Sequence, residues 1–321
     1  MSKIIKKINF YSGIGMRASF GMIMLDLVKK NKNLIVLTSD VSTSAGLDRF
    51  KSQHKNNYLE IGISEQNMIG VAAGLSNDGF QVFTSSFSPF QTLRCLEQIK
   101  VNLGYMKIKI CMVGLASGLV LGNLGYTHCS IEDIGVLRSI PNLNILSPCD
   151  GLELEKCMYS FKNSNNSTYI RLTGGSPLKK IYTKNYEFKI GEPVKVKDGK
   201  KVVIFSSGAI ISEVMDAVEI LKLKNISPTV INVHSIKPIN KKKISYFLKK
   251  NKFALTIEEH NIIGGLGSAI SEIATETGIS TKIFKLGVND KYTKSGDYQY
   301  LKKKHGIDAK SISNKIESIL K

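Results

Sequence analysis

Four places in the sequence carry side chains that could do chemistry. Glu65 is the second residue of the stretch SEQNMIGVAAGLS, whose following residues are nearly all small or apolar. A carboxylate in the first turn of a helix is stabilised by the helix N-terminus, by about 0.3–1 kcal/mol where exposed. Buried and facing a ligand nitrogen, it would make a strong charge-assisted hydrogen bond instead. Phe83, Phe87 and Phe90 cluster in FTSSFSPF, either as core packing or as a wall for a flat heteroaromatic ring. His128 sits in a long glycine-containing loop, which suits a general acid/base or a donor to a substrate oxygen, or a plain structural histidine. Its neighbour Cys129 makes no dyad with it, because adjacent side chains rarely face each other. GGLG at 264–267 is short of a G-x-G-x-x-G fingerprint and reads as a tight helix-entry turn.

The elements that must position these groups alternate between strand and helix. Short apolar runs predict strands at LIVLTSD (34–40), QVFTS, KIKICMVGLA (107–116), NLNILSP (142–148) and STYIRL (167–172). Helical spacing predicts helices over about 16–31, 64–76, 89–103 and 151–163. The second half repeats this grammar, with strands KVVIFSSG, PTVINVH, FALTIEEH and TKIFKLG. Helices are expected at about 208–224, over KKKISYFLKKN and GLGSAISEIATETG, and at about 308–320. The expected fold class is therefore α/β, two consecutive doubly wound domains with mainly parallel sheets. The expected division is residues 1–175, a Gly-, Pro- and Lys-rich linker over 176–198, and residues 199–321. In open α/β sheets ligands bind beyond the carboxyl ends of strands. The segments 38–46, 61–70, 83–90 and 114–133 fall at or beside such ends.

The chain has 321 residues with 42% hydrophobic and 22% charged residues, which excludes disordered, collagen-like and coiled-coil classes. The formal net charge is +19. Only Arg17, Arg49, Arg94, Arg138 and Arg171 among the 45 basic residues are arginine. Lysine dominance fits a solvated surface better than a phosphate-binding face, where arginine is favoured, so no nucleic-acid partner is expected. No apolar run reaches the ~18–20 residues of a membrane span, and the basic start MSKIIKKINF has no apolar signal core. The odd count of five cysteines, none in a C-x-x-C pair, fits a reducing cytoplasm and argues against a zinc site.

Taken together, IGISEQNMIGVAAGLS, FTSSFSPF, GNLGYTHCSIEDIGVLRSIPNLNILSPCD and TIEEHNIIGGLGSAISE resemble the transketolase family of thiamine-diphosphate enzymes. The likeness runs over nearly the whole chain but only over that family's pyrimidine-binding and C-terminal domains. The G-D-G motif and downstream Asn that hold Mg²⁺ and the diphosphate in the family have no counterpart; the one G-D here is Gly296-Asp297. The resemblance thus implies a split enzyme: a separate N-terminal subunit carrying the metal and diphosphate, no metal on this chain, and an α2β2 assembly with thiamine diphosphate at the interface.

It also implies roles. Glu65 matches the carboxylate that bonds the aminopyrimidine ring and lets it remove the C2 proton. Phe87 and Phe90 match ring-contacting positions, with Phe83 close by, and Asp40 matches a residue at the cofactor-side strand end. His128 matches the loop histidine that contacts substrate oxygens. Arg17 and Ser44 match sugar-phosphate anchors, with Arg171 near the strand end. Three departures fall on the substrate side. Leu115-Ala116 stand where the family has a further histidine, Leu124 replaces an Asp that reads a sugar hydroxyl, and Gly174 falls where a phosphate-binding Arg is usual. Altered substrate contacts beside intact cofactor contacts imply ketol transfer on a non-standard sugar. The competing readings are the beta subunit of a 2-oxo acid dehydrogenase and a non-catalytic interaction module of the same fold. A split deoxyxylulose-phosphate synthase fits less well, since its E-Q-H reads Glu65-Gln66-Asn67 here.

Overall fold

Apolar β-branched runs and small-residue helices assemble here into two sheets with helices on their faces. The structure, a computed structural model, describes residues 3–173 and 179–321. In the first part the order is α1 (Lys3–Lys30), β1 (Leu34–Thr38), α2 (Asp48–Gln53), β2 (Tyr58–Glu60), α3 (Glu65–Asn77), β3 (Gln81–Phe87), α4 (Ser88–Gln91), α5 (Leu96–Gln98), β4 (Ile110–Ser117), α6 (Asp133–Arg138), β5 (Leu143–Leu146), α7 (Gly151–Ser160) and β6 (Ser167–Thr173). There follow β7 (Val194–Lys197), β8 (Val202–Ser206), α8 (Ile211–Lys222), β9 (Thr229–Asn232), β10 (Ser235–Lys237), α9 (Lys241–Lys249), β11 (Phe253–Asn261), α10 (Leu266–Glu276), β12 (Lys282–Val288), α11 (Tyr298–Lys304) and α12 (Ala309–Leu320).

Among the described residues the first sheet has the order β10-β5-β6-β4-β3-β1-β2 and the second β12-β11-β8-β9-β7. Pairing is parallel except at one edge of each sheet, where β10 meets β5 and β7 meets β9 antiparallel. The fold class is thus the expected α/β with two mainly parallel sheets. β7 lies inside the stretch expected to be linker. β10 leaves the second half of the sequence to close the edge of the first sheet, with Ser235 opposite Leu146.

Two predicted helices differ in detail. α1 starts at Lys3 rather than near 16 and is broken at Gly15, whose φ of 75° only glycine adopts without strain. The helix expected over 89–103 is split into α4, α5 and a wider π-type turn over Ile99–Tyr105. Pro89 sits in the first turn of α4, and Thr92 Oγ1 donates to the Ser88 carbonyl at 2.7 Å, which ends the first turn early.

One apolar cluster joins the halves. Met68, Ile69, Val82, Met112 and Ile145 of the first sheet's layer pack in the same core as Val203, Phe205, Ile231, Leu266 and Ile270. At that junction α7 presents Glu153, fully buried. It accepts from the Cys149 N–H at 2.8 Å, Asn232 Nδ2 at 2.9 Å and Tyr186 OH at 2.6 Å. No helix of the described residues is long and apolar enough to cross a membrane.

Candidate active site

The connection from β1 to β2 runs one way along the first sheet, and β3 returns to the other side of β1. That reversal opens a crevice at the carboxyl ends of β1 and β3, where ligands of doubly wound folds bind. Register brings Thr38 beside Ser85 and Glu60, and Phe87 beside Leu115, so the ends of β1 to β4 lie together.

Glu65 is placed there by α3. Ser64 precedes the helix, and Met68, Ile69, Ala72 and Ala73 bury its inner face. The Glu65 side chain is only 3% exposed. Its Oε2 accepts from Arg94 Nη1 at 2.7 Å, while Oε1 has only a long 3.3 Å bond from Ser86 Oγ. One carboxylate oxygen is therefore neutralised and the other keeps acceptor capacity. The Arg94 guanidinium lies over the Phe90 ring, 4.2 Å from its centroid. Phe90 packs edge-on to His128 at 5.2 Å and to Phe87 at 6.3 Å, and Phe87 meets His128 at 6.4 Å. Glu65, Phe87, Phe90 and His128 thus form one group with Arg94. His128 is half-buried, and its Nδ1 pairs with Thr127 Oγ1 at 3.0 Å.

Arg94 and Glu60 were not among the expected site residues. Glu60 gathers the rim of the crevice: it accepts from Thr38 Oγ1 at 2.8 Å, Tyr58 OH at 2.9 Å and the N–H groups of Asp40 and Gly62 at 2.7 and 3.1 Å. Partial burial raises its pKa, but these donors outweigh that and leave it below the ordinary carboxylate value. Asp40 itself is exposed just beyond β1, with a φ of 55° that Asp tolerates. The signal that would have flagged Arg94 is its rarity as an arginine in a lysine-rich chain.

Arg17 and Ser44 share a cavity of about 410 Å³ with Gly15, Ala116, Val120 and Leu121. Val120 and Leu121 belong to the same loop as His128. Of the three departures, Ala116 lines this cavity with a left-handed φ of 52°, and Leu124 is 58% exposed. Gly174 lies outside the described residues.

The structure separates two expected residues from the group. Phe83 is fully buried and packs edge-on to Phe161 at 5.4 Å. It shares a strand face with Phe87 but lies about 13 Å away, four residues at ~3.3 Å each, and presents no ring to a ligand. Arg171 is 2% exposed with four of its five N–H donors already used. Nε reaches Asp133 Oδ2 at 2.8 Å, Nη2 reaches the Ser130 and Glu259 carbonyls at 3.0 and 2.7 Å, and Nη1 reaches Thr173 Oγ1 at 3.3 Å. It ties β6 to β11 and has no fork left for a substrate phosphate.

The GGLG turn is likewise filled from within. The Glu258 carboxylate accepts from the N–H groups of Leu266 and Gly267 at 2.6 and 2.8 Å, where an anion would sit. Burial pushes its pKa up to about 7 despite those bonds. Among the described residues no three His, Cys, Asp or Glu gather as a metal site.

Two mainly parallel sheets in series, with a buried carboxylate beside aromatic rings at the first switch point, define a doubly wound α/β class whose crevice lies at the carboxyl ends of the first sheet. Comparisons with known proteins agree with that class. The family profile described as "Transketolase, pyrimidine binding domain" matches residues 12–176, and "Transketolase, C-terminal domain" matches residues 191–312. The chain is 34% identical over 310 residues to "Putative transketolase C-terminal section" of Methanocaldococcus jannaschii, covering 96% of each. It is 34% identical over 289 residues to an apulose-4-phosphate transketolase subunit of Actinobacillus succinogenes, covering 90% of this chain and 93% of that one. A solved structure described as "Split gene transketolase, inactive beta4 tetramer" superposes with a TM-score of 0.87 at 29% identity, covering 95% of this chain and 98% of that one. The chain belongs to the transketolase family.

Proposed function

We propose that this chain is the C-terminal subunit of a split transketolase. It supplies the pyrimidine side of a thiamine-diphosphate site and the substrate loop. A separate N-terminal subunit holds Mg²⁺ and the diphosphate in an α2β2 assembly. The observation that carries this reading is the Glu65 carboxylate, buried beside Phe87, Phe90 and His128, with one oxygen held by Arg94 and the other weakly engaged. A buried charge with a spare acceptor fits a ring N–H. Bound thiamine diphosphate would supply carbanion chemistry at its thiazolium C2.

The chain's own residues then divide the work. Glu65 accepts the hydrogen bond from the pyrimidine ring, and Phe87 and Phe90 wall that ring. Asp40 stands at the cofactor-side rim. His128 donates to sugar oxygens, and Arg17 with Ser44 holds the anionic end of the sugar in their cavity. The relatives are named as subunits or sections of transketolases, which favours this reading over the beta chain of a 2-oxo acid dehydrogenase. Intact Glu65 and aromatic contacts weigh against a non-catalytic module. The outer face of α3 supports a partner: Gly70 and Gly74 are exposed, an added Cβ at either would meet nothing within 4 Å, and Ile63 just before the helix is 76% exposed. Five unpaired thiols fit the cytoplasm.

Ala116, Leu124 and Gly174 in place of polar partners point to a non-standard sugar, since a site that loses such partners discriminates strongly. The experiment is tagged co-purification from the native host with mass spectrometry, followed by substrate screening of the assembly. Recovery of a protein of about 250–300 residues bearing G-D-G and a downstream Asn is expected for a split enzyme, on ordinary domain sizes. The chain coming down alone and binding thiamine diphosphate with Mg²⁺ unaided would sink the two-subunit site. Ordinary efficiency on xylulose 5-phosphate and ribose 5-phosphate would sink the non-standard substrate.

A further inference from the structure

The loop between β4 and α6 carries His128 but has little regular structure of its own: a three-residue turn over Gly122–Leu124 and one bridge between Gly118 and Ser130. A residue that must meet a sugar oxygen within a few tenths of an ångström needs firmer support. That support comes from the other end of the chain. Tyr126, two residues before His128, points its hydroxyl at His305 Nε2, 2.8 Å away, and at Thr293 Oγ1, 2.9 Å away. Its ring packs on Tyr292 at 4.9 Å. Tyr292 OH in turn donates to Glu132 Oε1 at 3.0 Å, at the loop's exit. At its entry, the Leu119 N–H donates to Glu259 Oε1 at 2.6 Å, and Tyr298 OH fixes the other oxygen of Glu259 at 2.7 Å. In the middle, the Gly296 N–H donates to the Gly122 carbonyl at 3.2 Å, and a Cβ at Gly122 would strike Leu301 and Gly296.

We infer that the C-terminal segment Tyr292–His305 is a splint for the His128 loop, with Tyr126 as its pin and as a positioning residue for His128. This rests on the reading of His128 as a substrate contact. His305 suits the role. Burial, helped by nearby Lys291 and Lys304, lowers its pKa, so the ring is neutral at physiological pH and can pair with a phenol. The arrangement gives the second domain a task in the reaction although none of the proposed catalytic residues lies in it. Glu65 and Phe90 stand on α3 and α4, outside the splinted loop, so cofactor affinity is separable from loop position.

Tyr126→Phe removes both hydroxyl contacts and keeps the ring against Tyr292. Thr293→Val removes one of the two partners and tests the same pin from the other side. Hydrogen exchange is read over residues 119–131 in the chain alone, and KM and kcat in the assembled enzyme. Exchange in that segment should speed at least about tenfold in Tyr126→Phe, as local opening becomes easier. KM for the sugar should rise about tenfold, a modest misplacement by catalytic standards. Thiamine-diphosphate affinity should stay within about twofold, which a general loss of stability would not spare. Unchanged exchange over 119–131 in both variants overturns the splint. Faster exchange with unchanged sugar KM overturns the link to His128. If the wild-type assembly transfers no ketol unit, the proposed function fails, and the splint stands or falls on exchange alone.

Discussion

Replacing Arg171 by Met should destabilise the chain far more than it changes sugar binding. The guanidinium is 2% exposed and Asp133 is fully buried, so neither charge has water to fall back on. Without Arg171, Asp133 keeps the hydroxyl of Tyr169 at 2.8 Å as a donor, while the Ser130 and Glu259 carbonyls each lose one. Breaking a buried pair by removing one partner costs about 3–5 kcal/mol. Unfolding entropy of about 2.1 cal/mol/K per residue, over 321 residues, comes to about 0.7 kcal/mol/K. The expected drop in Tm is therefore about 4–8 °C, measured by calorimetry on the isolated chain. Adding Asp133→Asn should recover part of the loss, because no uncompensated charge then remains. A variant that melts with wild type but raises the KM of a phosphorylated sugar tenfold would refute this reasoning and return Arg171 to the substrate site.

The cysteines should be silent: all five are buried, and burial pushes the Cys95 and Cys129 thiols up to about 12. A disulfide reagent should therefore label none within minutes in native buffer and five in denaturant. Glu258 gives a pH signature. Its folded pKa of about 7 lies above the unfolded value near 4.5, so between them the folded chain holds a proton that the unfolded chain has lost. Its contribution must fall as pH rises from about 4.5 to 7, by at most about 1.4 kcal/mol per pH unit. Melting curves of wild type and Glu258→Gln across that range should diverge with this sign; parallel curves would show that Glu258 does not titrate there.

Five strands of the first sheet, β1 and β3 to β6, were legible because their runs are continuous and apolar, whereas the short, exposed β2 was not; LIVLT at β1 is buried at every position. α3 and the place of Glu65 were legible from a serine before a small apolar helix. β10 was not, since three residues at an antiparallel edge carry no periodicity and their partner lies about ninety residues earlier. Side-chain surroundings were not legible where function and support look alike in one dimension. Arg171 at a strand end reads as an anion contact until Asp133, Ser130 and Glu259 are brought around it from distant segments. Phe83 and Phe87 share parity and hence a face, but their spacing along the strand already keeps them from walling one ring. Composition held an unused clue: in a chain that prefers lysine, three of the five arginines hold partners brought from distant segments. Arg94 holds Glu65, Arg171 holds Asp133, and Arg138 bonds the Gly264 carbonyl at 2.8 Å and Glu272 at 2.5 Å.

The most direct test of the central claim is ketol transfer by the chain mixed with its N-terminal partner subunit, comparing wild type with Glu65→Gln. A neutral amide keeps the shape of Glu65 but loses the charge on which the proposed contact to a pyrimidine nitrogen rests. The account predicts that neither subunit is active alone and that the wild-type assembly transfers a two-carbon ketol unit. The Glu65→Gln assembly should form with the same stoichiometry and lose at least about a hundredfold in kcat, as expected for removing a key electrostatic contact. Transfer by this chain without a partner, or a Glu65→Gln assembly as active as wild type, would contradict it.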